Sequence, residues 1–303
     1  LVALPVLILG LLLSIMWNRQ SRSAVEDLAD QNIGQIHRLA STKVADVLDV
    51  PVRVSEVNAH LVRTGALDPN RLEAWRSTLS QQARSFDMLS SIVWGSADGR
   101  SAWISRYADG SLFWALKNDA SSSTMREWRL DADGNLAGDP PSMFEFDLET
   151  RPWFRTPRDA GHPAWTDPYV WVGGGNGSTP TIGVSYGIPI YEDDGRFIGI
   201  VDADFSLNDL SHFLRSIEVG ATGVAALLDR QRRMLAVSNE TPIVNDAGEL
   251  IAAAQSRDPL IAIAAANLDV LATIGAPEIH PTIQHDGEPL LVRTSPIGVE
   301  QGL

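Results

Sequence analysis

Residues 89–117 read LSSIVWGSADGRSAWISRYADGSLFWALK, and their reading decides the fold. Three apolar-rich runs, 89–94, 101–107 and 112–117, are separated by Asp98-Gly99 and Asp109-Gly110. Asp-Gly between such runs signals a tight hairpin, because the turn needs positive φ and glycine takes it without steric cost. The dipeptide recurs at Asp133-Gly134, Asp194-Gly195 and Asp286-Gly287. Further strand-like runs lie at 125–131, 181–191, 196–205, 223–229 and 289–294. Strands that follow one another through tight turns make an antiparallel meander, not a βαβ series. With helices before and after them, the expected class is α+β.

Upstream of this meander the pattern changes. Residues 18–62 carry apolar side chains at three- and four-residue steps, among them Val25, Leu28, Ile36, Leu39, Val44, Val47, Leu48, Val54, Val57 and Leu61. This predicts one long helix, a stalk, which Pro51 should kink or divide. Residues 1–17 are uncharged and almost wholly apolar, and Trp17 sits where an interfacial aromatic belongs. They read as a transmembrane anchor; a cleaved signal peptide is the rival, although no small-x-small site follows Trp17. Arg19 and Arg22 do not decide the orientation, because long domains translocate regardless of such charge.

Composition narrows the function. The net charge of −14 argues against a nucleic-acid partner, which needs a basic stripe. The absence of cysteine removes thiolate catalysis, disulfide frameworks and cysteine zinc sites. None of the six histidines has the spacing of a metal-ligand pair on a helix. No cofactor and no metal are expected. Residues 131–135, DADGN, resemble the start of a calcium loop, but the glycine is fourth and not sixth, so a hairpin turn is expected. The glycine-rich 173–177 lacks a P-loop lysine and reads as a flexible loop.

The functional-looking residues concentrate in 147–171, DLETRPWFRTPRDAGHPAWTDPYVW. Three tryptophans, one tyrosine and three arginines stand among four prolines, with little periodicity, which predicts a long loop folded over something. Either these aromatics are core beneath a loop, or they wall a small-molecule site, apolar with a few placed polar groups. Asp204 interrupts an apolar strand, and Asp202, two residues earlier, points to the same face. A carboxylate there is costly without a donor or a cation. A glycosidase pair is a rival use, but strand carboxylates two residues apart are closer than that chemistry normally uses. This region is therefore not expected to be an enzyme. An adhesion or scaffold module without a small ligand is the alternative.

Five phrases in order, TRPWF (150–154), WTDPYVW (165–171), SYGIPIY (185–191), DGRFIGIVDADFSLNDLSHFL (194–214) and GATGVAALLD (220–229), resemble the double Cache (dCache) sensor domains of bacterial transmembrane receptors. The resemblance is strongest over 144–229. It implies an anchor at 1–17, a stalk helix at 18–62, a membrane-distal PAS-like ligand-binding domain at 63–212 and a smaller proximal PAS-like domain at 213–303 that continues past Leu303. In the amino-acid-binding branch, an arginine and a tryptophan hold the ligand carboxylate, and a tyrosine and an aspartate hold its ammonium. By position these are Arg151, Trp153, Tyr169 and Asp204. The branch expects tyrosines where this chain has Phe146 and Phe154, so two hydroxyls are missing on the carboxylate side. The ligand is therefore left open among amino acids, amines and small carboxylates. The apolar stripe of the stalk is longer than one small domain could cover, which predicts a homodimer through that helix. The resemblance further implies a place in the inner membrane with the sensor region in the periplasm or extracellular space, and a cytoplasmic effector. Residues 107–153 read most like cyclase-linked members; a histidine kinase, diguanylate cyclase or chemoreceptor output also fits.

Overall fold

The computed structural model describes residues 3–171, 181–220, 222–272, 282–285 and 287–297. Helix α1 runs from Ala3 to Arg63 without interruption, so Pro51 lies inside a continuous helix and does not divide it. A short helix α2, Trp75–Ser85, follows and was not anticipated from the strand-dominated sequence. The meander then comes as β1 (Ser91–Ser96), β2 (Ser101–Arg106), β3 (Leu112–Lys117), β4 (Thr124–Leu130) and β5 (Leu136–Glu145), each pairing antiparallel with the next. The 131–135 segment is the β4–β5 turn. Beyond β5 come α3 (Pro152–Ala160), the two-residue strands β6 (Ala164–Trp165) and β7 (Tyr169–Val170), and the long strands β8 (Ile182–Tyr191) and β9 (Phe197–Ser206).

β9 inserts beside β1, so the sheet order is β5-β4-β3-β2-β1-β9-β8-β6, with β7 also on β8. This nonlocal β1–β9 pairing gives the sheet two faces with different covers. Val201, Ala203 and Phe205 of β9 point to one face, which α1 covers with Val44, Val47, Leu48, Val54 and Val62. Each such fully buried side chain contributes about 1.5–3 kcal/mol of hydrophobic stabilisation. The Ser55 hydroxyl donates to the Tyr186 carbonyl, and the Asn58 and Gln82 amides exchange two hydrogen bonds that tie α1 to α2. On the opposite face a second cluster gathers Val93, Trp103, Ala115, Met125, Phe146, Leu148, Trp153, Phe154 and Ile200.

Helix α4, Leu207–Arg215, starts where β9 ends, capped by the Ser206 hydroxyl, which accepts from the Asp209 amide. A smaller strand-and-helix part follows: β10 (Ala226–Leu228) paired with β11 (Met234–Val237), α5 (Pro259–Ala272), and β12 (Thr282–His285) paired with β13 (Glu288–Leu291). It packs beside the earlier half of the stalk, where Ser295 bonds to His37 and Ser41 and Arg293 pairs with Asp30. The architecture is α+β with one large antiparallel sheet and a long N-terminal helix. Among the described residues no helix is long and apolar enough to cross a membrane. The expected anchor at 1–17 lies outside the residues whose side chains are described, and the 173–177 loop lies outside the described residues altogether.

Candidate functional site

The 147–171 segment is not the irregular loop that its prolines suggested. Pro152 stands in the first turn of α3, where its missing N–H costs nothing, and Gly161 ends the helix at φ 72°. That Pro-start, Gly-stop pairing was the signal in the sequence that could have found the helix. Asp147 caps the preceding 3-10 turn by accepting from the Glu149 amide. Together they set α3 flat on the sheet face opposite the stalk.

Two strand glycines let it lie that close. A Cβ on Gly95 would come within 2.7 Å of the Trp153 indole and 2.9 Å of the Phe154 ring. One on Gly187 would meet Pro157 Cγ at 2.7 Å and the Trp153 carbonyl at 3.1 Å. Trp153 and Phe154 are buried edge to face, with ring centroids 5.8 Å apart. Phe146 is buried in the same cluster, and Tyr169 packs at its margin. The Arg151 guanidinium lies over the Phe146 ring at 5.7 Å, while its Nε donates to the Asp147 carbonyl at 3.1 Å and to Thr150 Oγ1 at 2.9 Å.

Register brings Asp204 to this same face from a distant part of the chain. In an antiparallel ladder directly opposed residues share a face. One row runs Ser185, Asp204, Ser91, Ser105 across β8, β9, β1 and β2. The next runs Gly187, Asp202, Val93, Trp103. The Ser91 hydroxyl is 2.6 Å from each Asp204 oxygen, and the Tyr169 hydroxyl is 3.0 Å from Ser185 Oγ. Asp202 is fully buried, and neither of its oxygens has a hydrogen-bond partner among the described residues.

The electrostatics follow from this geometry. Burial pushes the Asp204 carboxyl up to about 7, with the Ser91 hydrogen bonds pulling the other way and Asp209 adding to the rise. Burial, then the neighbouring Asp204, holds Asp202 well above the ordinary carboxylate range. The Tyr169 phenol is raised by burial and by both carboxylates, and lowered by Ser185 and Arg151. Arg151, Trp153, Phe146, Phe154, Tyr169 and Asp204 thus all belong to one sheet face and the segment over it. Sequence reading did not single out Ser91 or Ser185; each is a serine on an otherwise apolar strand, a faint signal until the register is known.

A cavity of about 1370 Å³ opens between the stalk, α4, the smaller part and the 165–169 segment, with Pro152 and Thr156 of α3 also on its wall. Its lining includes His37, Leu48, Leu210, Leu235 and Tyr169 but not Asp202 or Asp204.

Comparison with known proteins identifies the fold. Residues 115–212 match the family profile described as methyl-accepting chemotaxis protein-like, first PDC sensor domain. The methyl-accepting chemotaxis protein McpA of Pseudomonas putida is 25% identical over 118 residues, which are 38% of this chain. The chain covers 17% of the length of that curated relative. Among solved structures, a methyl-accepting chemotaxis protein X is similar with a TM-score of 0.56 at 18% identity, over 90% of this chain and 93% of that one. The ligand-binding domain of the Campylobacter jejuni chemoreceptor Tlp3, in complex with L-norvaline, gives 0.52 at 13% identity, over 88% and 85%. The extracellular domain of the putative histidine kinase mmHK1S-Z2 gives 0.52 at 14% identity, over 89% and 92%. The resemblance to extracytoplasmic Cache-type sensor domains, drawn from five sequence phrases, thus recurs in the family profile and in the fold.

Proposed function

We propose that this chain is the sensor region of a bacterial membrane receptor and binds a small amino compound between α3 and the β8–β9–β1 face. The observation that carries this reading is the placement of Arg151, over the Phe146 ring, and of Asp204 on the same side of the sheet, with the Tyr169 hydroxyl bonded to Ser185 directly opposite Asp204. Arg151 offers a planar donor fork to a carboxylate, and Asp204 offers a charge to an ammonium. Trp153, Phe146 and Phe154 supply apolar walls, as small-ligand sites require. The Tlp3 domain, named as binding L-norvaline, supports an amino acid or a close analogue as the ligand class.

In this reading residues 1–17 anchor the chain in the inner membrane, residues 63–212 form the distal ligand-binding domain on the outer side, and residues 213–303 belong to the proximal one. The stalk carries the signal as a homodimer. Leu28, Leu39 and Val57 support that assembly: they are exposed on α1, and their spacings of about three and five helical turns put them on one stripe. The named relatives are chemotaxis receptors and a histidine kinase, which favours those outputs over a nucleotide cyclase.

A thermal-shift screen of amino acids, amines and small carboxylates tests this. At least one compound should raise the melting temperature of the wild type and fail to raise that of Asp204→Ala. Arg151→Ala should weaken carboxylate-bearing ligands about tenfold or more. A ligand that stabilises wild type and Asp204→Ala equally would place the site elsewhere.

A further inference from the structure

Asp202 has no role in the reading above, yet among the described residues it is the one carboxylate with both oxygens buried and without a hydrogen-bond partner. It is fully buried in the middle of β9, flanked in the register by Val93 and Gly187, neither of which can donate from a side chain. Both its oxygens are without a partner among the described residues, and the Ser105 hydroxyl one row away is buried and equally unpartnered. Without a cation such a carboxyl stays protonated, and its O–H and carbonyl are then buried without partners; a cationic group placed beside it would both ionise it and pair it. Asp202 and Asp204 are two residues apart on one strand, so their Cα atoms are about 7 Å apart and their side chains share a face. Arg151 contributes one positive charge and the two acids two negative ones, so the ionised site carries −1. A zwitterionic amino acid, with one ammonium for Asp204 and one carboxylate for Arg151, leaves Asp202 uncompensated. A ligand with a second cationic nitrogen compensates it.

We propose that Asp202 receives a second cationic group, and that the site selects small compounds with two ammonium groups, diamino acids and short diamines, over those with one. The proposal rests on the reading of this face as the ligand site. Tyr169 fits the same selection, since its hydroxyl bonds to Ser185, which stands directly opposite Asp204, and its ring offers a π face to a cation.

Calorimetric titration with L-ornithine and L-norvaline, which differ only by the terminal ammonium, tests it on the wild type alone. L-Ornithine should bind at least about tenfold more tightly. The carboxylate-free pair 1,4-diaminobutane and butylamine should show the same preference, and comparison of the two pairs separates a diamino acid from a diamine as the better ligand. In Asp202→Asn the advantage of the second ammonium should vanish while L-norvaline binding is kept. Should that variant not fold, the wild-type preferences still decide. Equal binding of L-ornithine and L-norvaline, with both dependent on Asp204, overturns the diammonium proposal and leaves the site intact. Binding that survives in Asp204→Asn for every probe, or no binding of any probe to the wild type, overturns both.

Discussion

Ser91 stands opposite Asp204 across the β1–β9 ladder, with its hydroxyl 2.6 Å from both carboxylate oxygens. One hydroxyl has one proton, so it is shared between two acceptor positions on a buried acid. The contact favours the ionised form and opposes the upward push of burial on Asp204. The same strand end is held by Ser90, whose amide donates to the Asp204 carbonyl and whose hydroxyl donates to Asp209. β1 therefore fixes both the position of Asp204 and its charge.

Ser91→Ala should raise the Asp204 carboxyl above about 7 and weaken an ammonium ligand at neutral pH by about ten- to a hundredfold, the worth of one charge-assisted hydrogen bond. Raising the pH should recover part of the loss, because the acid then ionises without help. Titration calorimetry at pH values either side of neutrality checks this. A pH-independent loss would instead mean that the serine touches the ligand or only fills space.

Both Asp202 and Asp204 are raised above their unfolded values, so the ligand-free fold holds protons that the unfolded chain has released. The Asp204 contribution is full below about pH 4 and is lost as pH rises through about 7, and Asp202 acts in the same sense, so the ligand-free melting temperature should fall as the pH rises through neutrality. Asp202→Asn should flatten that fall. A cationic ligand works in the opposite sense, stabilising more at the alkaline end, where both acids are charged. Melting curves across this range decide; a ligand-free melting temperature that rises with pH would show that the acids are paired and ionised.

Gly187→Ala puts a Cβ within 2.7 Å of Pro157 and 3.1 Å of the Trp153 carbonyl. Helix α3 must lift, at a cost of about 1–3 kcal/mol typical of overpacking. We expect a melting-temperature drop of about 2–10 °C together with weakened binding of carboxylate-bearing ligands, since Arg151 begins this helix. Circular dichroism melts and the same titrations measure both. Unchanged affinity with lowered stability would separate α3 from the site.

The sequence by itself determined the local elements. The Asp-Gly turns place β1, β2, β3, β4, β8 and β9 within a residue or two of where alternation put them, because hairpin pairing joins chain neighbours. The stalk and its apolar stripe follow from a 3.6-residue period that needs no partner to be seen. β5 was hidden by Gly138, Pro140 and Pro141, which argue locally against a strand, and α3 by prolines whose tolerance depends on where the helix starts. Only the tertiary structure decided that β9 lies beside β1. That pairing joins residues more than a hundred positions apart, and no local pattern encodes it. It turns Ser91 into the partner of Asp204 and leaves Asp202 buried opposite a valine and a glycine, since the cost and use of a buried charge depend on neighbours that the chain order does not reveal.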